Sequence, residues 1–118
     1  YRLTRPKLIE QFISSDVAAR MAQADKRGDL YKEKPFVMDY EGVLVQGIID
    51  VYFEEEDKII LVDYKTDRVR EGEEDILIRR YRAQMESYQQ ALEKITGKCV
   101  KEIYIYSVTL QKTIPVHV

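Results

Sequence analysis

Asp50, Asp63 and Lys65 are the residues whose types and spacing carry the strongest chemical signal in this chain. The acidic stretch Glu54-Glu55-Glu56-Asp57 separates two apolar runs, Val43 to Phe53 and Ile59 to Thr66, as the turn of a hairpin would. With a two-residue loop at Glu56 and Asp57, Glu55 pairs with Lys58 and, following the ladder back, Asp50 faces Asp63. Like charges opposed across a ladder destabilise a sheet, so this pair calls for a cation or a proton between its members. A hard divalent metal is the obvious cation. Side chains alternate along a strand, which puts Lys65 on the face of Asp63 and beside that metal. Magnesium held by carboxylates supplies what phosphodiester hydrolysis requires: shielding of the phosphate, an activated water, and charge relief at the departing oxygen. Asp50 and Asp63 would be the ligands, with the backbone carbonyl of Tyr64 as a third oxygen. Lys65 would position or help deprotonate the attacking water, or stabilise the developing charge. The competing explanation is a cross-strand salt-bridge cluster that only stabilises the sheet; two acids and one lysine amid Val, Ile and Leu weigh against it.

The elements that must hold these residues follow from periodicity. Pro6 after Thr4, with Leu8, Ile9, Phe12 and Ile13 at helical spacing, predicts a helix over 5–14. Ser14-Ser15-Asp16 caps a second helix over 16–26 that stops by Gly28. Lys34 to Asp39 reads as a strand, and Tyr40-Glu41-Gly42 turns it into the run from Val43. Arg68 to Asp75 is a charged exposed loop ahead of a long helix. That helix carries Leu77 or Ile78, Tyr81, Met85, Tyr88, Leu92 and Ile95 on one stripe and ends at Gly97. Cys99 to Thr109 alternates only loosely, as a strand buried on both faces does, and a short strand follows Lys112. The fold class is α/β: a mixed sheet flanked by helices, in which the long helix carries a parallel crossover.

With 118 residues the chain is one domain with a core large enough to need no disulfide. A net charge of −2 excludes a globally basic nucleic-acid binder, so any grip on DNA is local or borrowed. The lone Cys99 forms no intrachain disulfide, fits a reducing cytosolic setting, and reads as buried strand filler. No run approaches the length of a membrane span and no signal-peptide pattern is present. The start at Tyr1 without methionine suggests a piece cut from a longer polypeptide.

Gly47-Ile48-Ile49-Asp50, Asp63-Tyr64-Lys65 and Gln84-Met85-Glu86-Ser87-Tyr88 together resemble the PD-(D/E)XK nucleases of the RecB type. The wording Val45-Gln46-Gly47-Ile48-Ile49-Asp50, Val62-Asp63-Tyr64-Lys65-Thr66-Asp67 and Tyr81-Arg82-Ala83-Gln84 is most similar to the C-terminal nuclease domain of bacterial AddA-type helicase–nuclease subunits. The resemblance implies a restriction-endonuclease-like core over 33–110 behind a helical N-terminal segment over 1–30. It implies Asp50 and Asp63 as metal ligands for Mg2+, with Mn2+ as a substitute, and Lys65 as the catalytic lysine. It places Gln84 and Tyr88, four apart on one helix face, near the active site and the DNA backbone. It implies an exonuclease-type deoxyribonuclease in DNA-end processing, repair and recombination, cytoplasmic and nucleoid-associated. Its partners would be a single DNA strand delivered by the parent helicase, and a second helicase–nuclease subunit. The family commonly adds a histidine or glutamate from an earlier helix, whereas the only histidine here is His117, so the piece is expected to start downstream of that ligand and to cleave weakly alone. Glu33 and Glu41 are the nearest stand-ins, although strand-end roles suit both better.

Arg68, Arg70, Arg79, Arg80 and Arg82 flank the long helix, and Glu71, Glu73, Glu74 and Asp75 are interleaved with them. A self-paired solvated face and a phosphate-binding patch that includes Arg68 and Arg82 are therefore both open. Tyr81, Tyr104 and Tyr106 have the chemistry to stack on bases, but packing explains them more cheaply. No G-x-x-x-x-G-K run is present, so this piece carries no phosphate-binding loop of its own. Two alternatives to the helicase–nuclease reading stand: a Cas4-like or standalone exonuclease of the same fold, and a catalytically silent DNA-binding or scaffolding module.

Overall fold

A computed structural model describes residues 16–117; the helix expected over 5–14 lies outside the described residues. The elements run α1 (Asp16–Arg27), β1 (Leu30–Tyr40), β2 (Val43–Glu55), β3 (Lys58–Lys65), α2 (Glu74–Thr96), β4 (Val100–Ser107) and β5 (Lys112–Pro115). The five strands form one sheet in chain order. Every neighbouring pair is antiparallel except β3 and β4, which the crossover through α2 makes parallel. This is the mixed, helix-flanked α/β sheet that the element order implies.

β3 is the centre of the molecule, and its composition says why. Ile59, Ile60, Leu61 and Val62 are all fully buried, because alternate residues face different helices. Ile59 and Leu61 join Tyr52, Met85, Tyr88, Leu92, Ile103 and Ile105 beneath α2. Ile60 and Val62 join Val51, Phe53, Val17, Met21 and Ala24 beneath α1. Arg20 fastens α1 to the sheet: its guanidinium donates to both carboxylate oxygens of Glu55 (3.0 and 2.7 Å) and of Glu102 (2.8 and 3.0 Å).

The two-residue β2–β3 turn has Glu56 at φ 50° and Asp57 at φ 67°, and it fixes Glu55 opposite Lys58 as the sequence predicts. Three local expectations need correction. β1 starts at Leu30 rather than Lys34, because Leu30 and Tyr31 continue to pair with Phe53 and Tyr52, and Pro35 is tolerated on an edge strand. Cys99 is exposed rather than buried: it precedes β4, and only its carbonyl is engaged, accepting from the Ile59 N–H at 2.8 Å. Ile95 is 51 % exposed, because a stripe spaced 81, 85, 88, 92, 95 drifts around a straight helix and its last member swings off the sheet.

Gly47 seats the long helix. A Cβ at this position would lie 3.2 Å from Phe36 Cε1 and 3.5 Å from Tyr88 Cε1, and those two rings meet edge to face with centroids 5.4 Å apart. A larger side chain would push Tyr88, and α2 with it, away from β2. Gly47→Val is therefore expected to cost about 1–3 kcal/mol by overpacking, read as a lowered urea midpoint with an unchanged slope. Stability equal to that of the parent chain would show that α2 does not depend on this contact.

Candidate active site

The site forms where β2 leaves β3. The β2–β3 ladder runs from Glu55 and Lys58 to Val51 and Val62, while on its other edge β2 stays paired with β1 as far as Val43 and Tyr40. Asp50 is the first residue past the split. Its expected neighbour across β1, Glu33, drops out of the ladder with φ at 50°. The alternation of β2 slips here as at a bulge: Ile49 and Tyr52 both lie on the α2 side, Val51 and Phe53 on the α1 side. Asp50 is thereby turned edge-on toward β3, where its Oδ2 accepts the Tyr64 N–H at 3.0 Å. A carboxylate takes the place of the next rung of the ladder. The N–H and C=O of one strand residue point to the same side, so the Tyr64 carbonyl is directed toward the same opening.

Asp63 faces that opening from β3 and is 2 % exposed. Lys65 Nζ lies 2.9 Å from Asp63 Oδ2, but it approaches at an angle outside the hydrogen-bonding range, and that oxygen has no hydrogen-bond partner. Burial pushes the Asp63 carboxyl up to about 6; Lys65 opposes the rise, and the nearby Asp50 carboxylate adds to it. Burial also raises the Tyr88 phenol, and the charges of Asp63 and Asp50 raise it further, which places that ring beside the pair.

Lys65 has two further contacts, both on α2. Its ammonium donates to Gln84 Oε1 at 2.7 Å and lies 4.0 Å from the centroid of the Tyr81 ring. Asp50, Asp63, Lys65, Gln84 and Tyr88 are thus brought to one place. Arg68 and Arg82 are exposed and make no ion pair among the described residues. Part of the charged face is self-paired: Arg79 with Asp75 at 3.4 Å, Arg80 with Asp67 at 2.5 Å, and Lys112 with Glu71 and Glu74 at 2.8 and 2.6 Å. Glu41 sits in the β1–β2 turn and Glu33 on the outer strand. Among the described residues neither joins the aspartates in a cluster of three metal-binding side chains, so they are not the stand-in ligands considered above.

Two contacts escaped the sequence reading. Tyr81 looked like packing, yet its ring supports Lys65; its spacing of three from Gln84 was the available signal. Asp67 had no assigned role, yet it accepts the Tyr81 hydroxyl at 2.8 and 2.9 Å.

An unsatisfied buried carboxylate oxygen beside a second carboxylate and an ammonium, at the open end of a mixed sheet, is the arrangement of a metal-assisted nuclease centre. Comparison with known proteins agrees. Residues 5–114 match the model of the PD-(D/E)XK nuclease superfamily, and the chain belongs to that superfamily. It is 41% identical to an ATP-dependent helicase/nuclease subunit of the AddA type from Clostridium perfringens (strain ATCC 13124), over 92% of this chain and 10% of that protein. It is 54% identical to the protein of the same name from Thermoanaerobacter sp. (strain X514), over 66% of this chain and 6% of that protein. The chain thus spans about a tenth of the length of the curated relatives it matches. Nucleases of this superfamily generally use divalent metal ions, and the orphaned Asp63 Oδ2 facing Asp50 is a donor set that such an ion fits.

The Asp63 carboxyl has a sign that can be measured. Its folded value, about 6, lies above the usual 3.8, so the folded state holds the proton more tightly. The associated stability is present below about pH 4 and lost as pH rises through about 6. In chelator, Asp63→Asn is expected to be more stable than the parent at pH 7 by roughly 1–3 kcal/mol and no more stable at pH 4, measured by urea unfolding at both values. A variant less stable at pH 7 would contradict the desolvated pair.

Proposed function

We propose that this chain is a Mg2+-dependent deoxyribonuclease centre that hydrolyses phosphodiester bonds exonucleolytically, as the nuclease part of an ATP-dependent helicase–nuclease acting at DNA ends. The observation that carries the reading is the Asp63 carboxylate, buried with one oxygen unsatisfied, opposite Asp50 and beside an ammonium held by Gln84. Asp50, Asp63 and the Tyr64 carbonyl would hold the ion. When bound, the ion shields the phosphate and lowers the pKa of its water. Mn2+, with a similar preference for oxygen, would substitute.

The chain's own groups supply the rest. Asp50 and Asp63 lie close together on neighbouring strands, so the folded chain has the geometry before any ion arrives. Lys65 presents donor hydrogens beside the pair, suited to orienting the attacking water and offsetting charge on the departing oxygen. Gln84 ties that ammonium to α2 and limits the orientations open to it. Tyr88 closes the apolar wall behind the carboxylates and limits water there. Arg68 and Arg82, exposed and outside the ion pairs, would meet the phosphates of a strand entering along α2. The net charge of −2 fits a substrate strand delivered by a motor rather than captured by this chain's own field. The relatives' name describes one member of a multi-chain helicase/nuclease, which supports a second protein as partner and a role in DNA repair and recombination.

A catalytically silent DNA-binding module is favoured by one observation, that no third metal-binding side chain joins the pair among the described residues. The intact Lys65–Gln84 contact argues against it, since a relic would have no need to hold a lysine there. Calorimetric titration with Mg2+ and cleavage of labelled single-stranded DNA separate the two. Asp63→Ala is expected to abolish metal binding. Lys65→Ala is expected to retain it and to lose cleavage by about a hundredfold or more. Metal affinity of the parent chain is expected to fall below about pH 6, as the Asp63 carboxyl takes up its proton. Metal binding that survives Asp63→Ala, or cleavage indifferent to chelator, would refute the reading.

A further inference from the structure

Lys65 is long and flexible, and a lysine that must meet a phosphate repeatedly in one place needs something to restrict it. Gln84 contributes one hydrogen bond and Asp63 an off-line ion pair. The third contact is different in kind: the ammonium lies 4.0 Å from the Tyr81 centroid, over the electron-rich face of the ring. Tyr81 is itself tied down. Its hydroxyl donates to Asp67 Oδ1 and Oδ2 (2.8 and 2.9 Å), Arg80 pairs with the same carboxylate, and Thr109 Oγ1 donates to the Asp67 carbonyl at 2.8 Å. Asp67 follows β3 and Tyr81 lies on α2, so this chain of contacts links the strand that carries Lys65 to the helix that carries Gln84.

We propose that Tyr81 is a positioning residue for Lys65, its ring face setting where the ammonium rests, with the Asp67 carboxylate fixing the orientation of that ring. The proposal rests on Lys65 being the catalytic lysine of a nuclease centre. It makes Tyr81 more than a core filler, although the residue also packs against Val69, Leu77 and Ile114. The ring acts on Lys65 and touches no reacting atom. The part of Tyr81 that matters is the ring face, and the hydroxyl serves only to aim it.

Two measurements test this, one of them independent of cleavage. In the NMR spectrum of the metal-free chain, the Lys65 εCH2 protons lie under the ring current and are expected upfield of the other lysines. Tyr81→Phe keeps that shift and Tyr81→Leu abolishes it. In cleavage of single-stranded DNA with Mg2+, Tyr81→Leu is expected to lower kcat about tenfold with KM within about twofold, and Tyr81→Phe to recover kcat to within about threefold of the parent. An unshifted Lys65 in the parent chain overturns the proposal even if the leucine variant fails to fold. So does a Phe variant as slow as the Leu variant, or a loss confined to KM. Lys65→Ala is the control for the underlying reading: if it cleaves like the parent, the nuclease assignment fails, whereas a Lys65 shift that disappears in Tyr81→Leu still establishes the contact.

Discussion

Asp50 and Asp63 place two carboxylates against one another where little water reaches, and the surrounding sheet is arranged around that repulsion. An ordinary hairpin would separate such residues or pair each with a base. Here β2 breaks its ladder with β3 after Val51 and slips its alternation by one place, so that Asp50 meets the Tyr64 N–H. The cost is visible in the Asp63 carboxyl, raised to about 6 by burial, with one oxygen left unsatisfied. Buried groups of this kind persist where function needs them. A divalent cation resolves the repulsion, the missing hydrogen bond and the desolvation together.

The neighbouring elements set the precision of the arrangement. β3 is apolar from Ile59 to Val62 and locked between two helices, so Asp63 and Lys65 extend from the most rigid strand in the molecule. The absence of a side chain at Gly47 lets Phe36 and Tyr88 meet, which brings α2 down onto the sheet. With α2 in that place, Gln84 and Tyr81 reach Lys65 from the helix. On the opposite face Arg20 holds α1 to Glu55 and Glu102, fastening the closed end of the hairpin whose other end opens at Asp50. Packing far from the carboxylates therefore acts on the site through the positions of two helices.

Much of this was legible in the residues. The loop at Glu56 and Asp57 fixed the hairpin register by counting, and the period-two rule put Lys65 with Asp63. The stripe on α2 and the stop at Gly97 followed from helical spacing, and the Gly97 φ of 72° fits that stop. The slip at Asp50 was not legible, because Glu33 at positive φ carries no glycine or asparagine to announce it. Pro35 hid the start of β1, since sequence cannot say that this strand lies at the sheet edge. Cys99 was misjudged because apolar character alone does not reveal that a residue precedes its strand rather than sitting within it. Tyr81 was assigned to packing, correctly in part, because an aromatic at helical spacing looks the same from sequence whether or not an ammonium rests on it.

The central claim is that Asp50 and Asp63 share one cation, and diffraction from crystals of this chain soaked in Mn2+ tests it most directly. The account predicts one anomalous peak between the two carboxylates, with oxygens of Asp50, Asp63 and the Tyr64 carbonyl at about 2.1 Å, in the range of hard six-coordinate ions. No peak there, or a peak on one carboxylate while the other stays bonded as before, would contradict it.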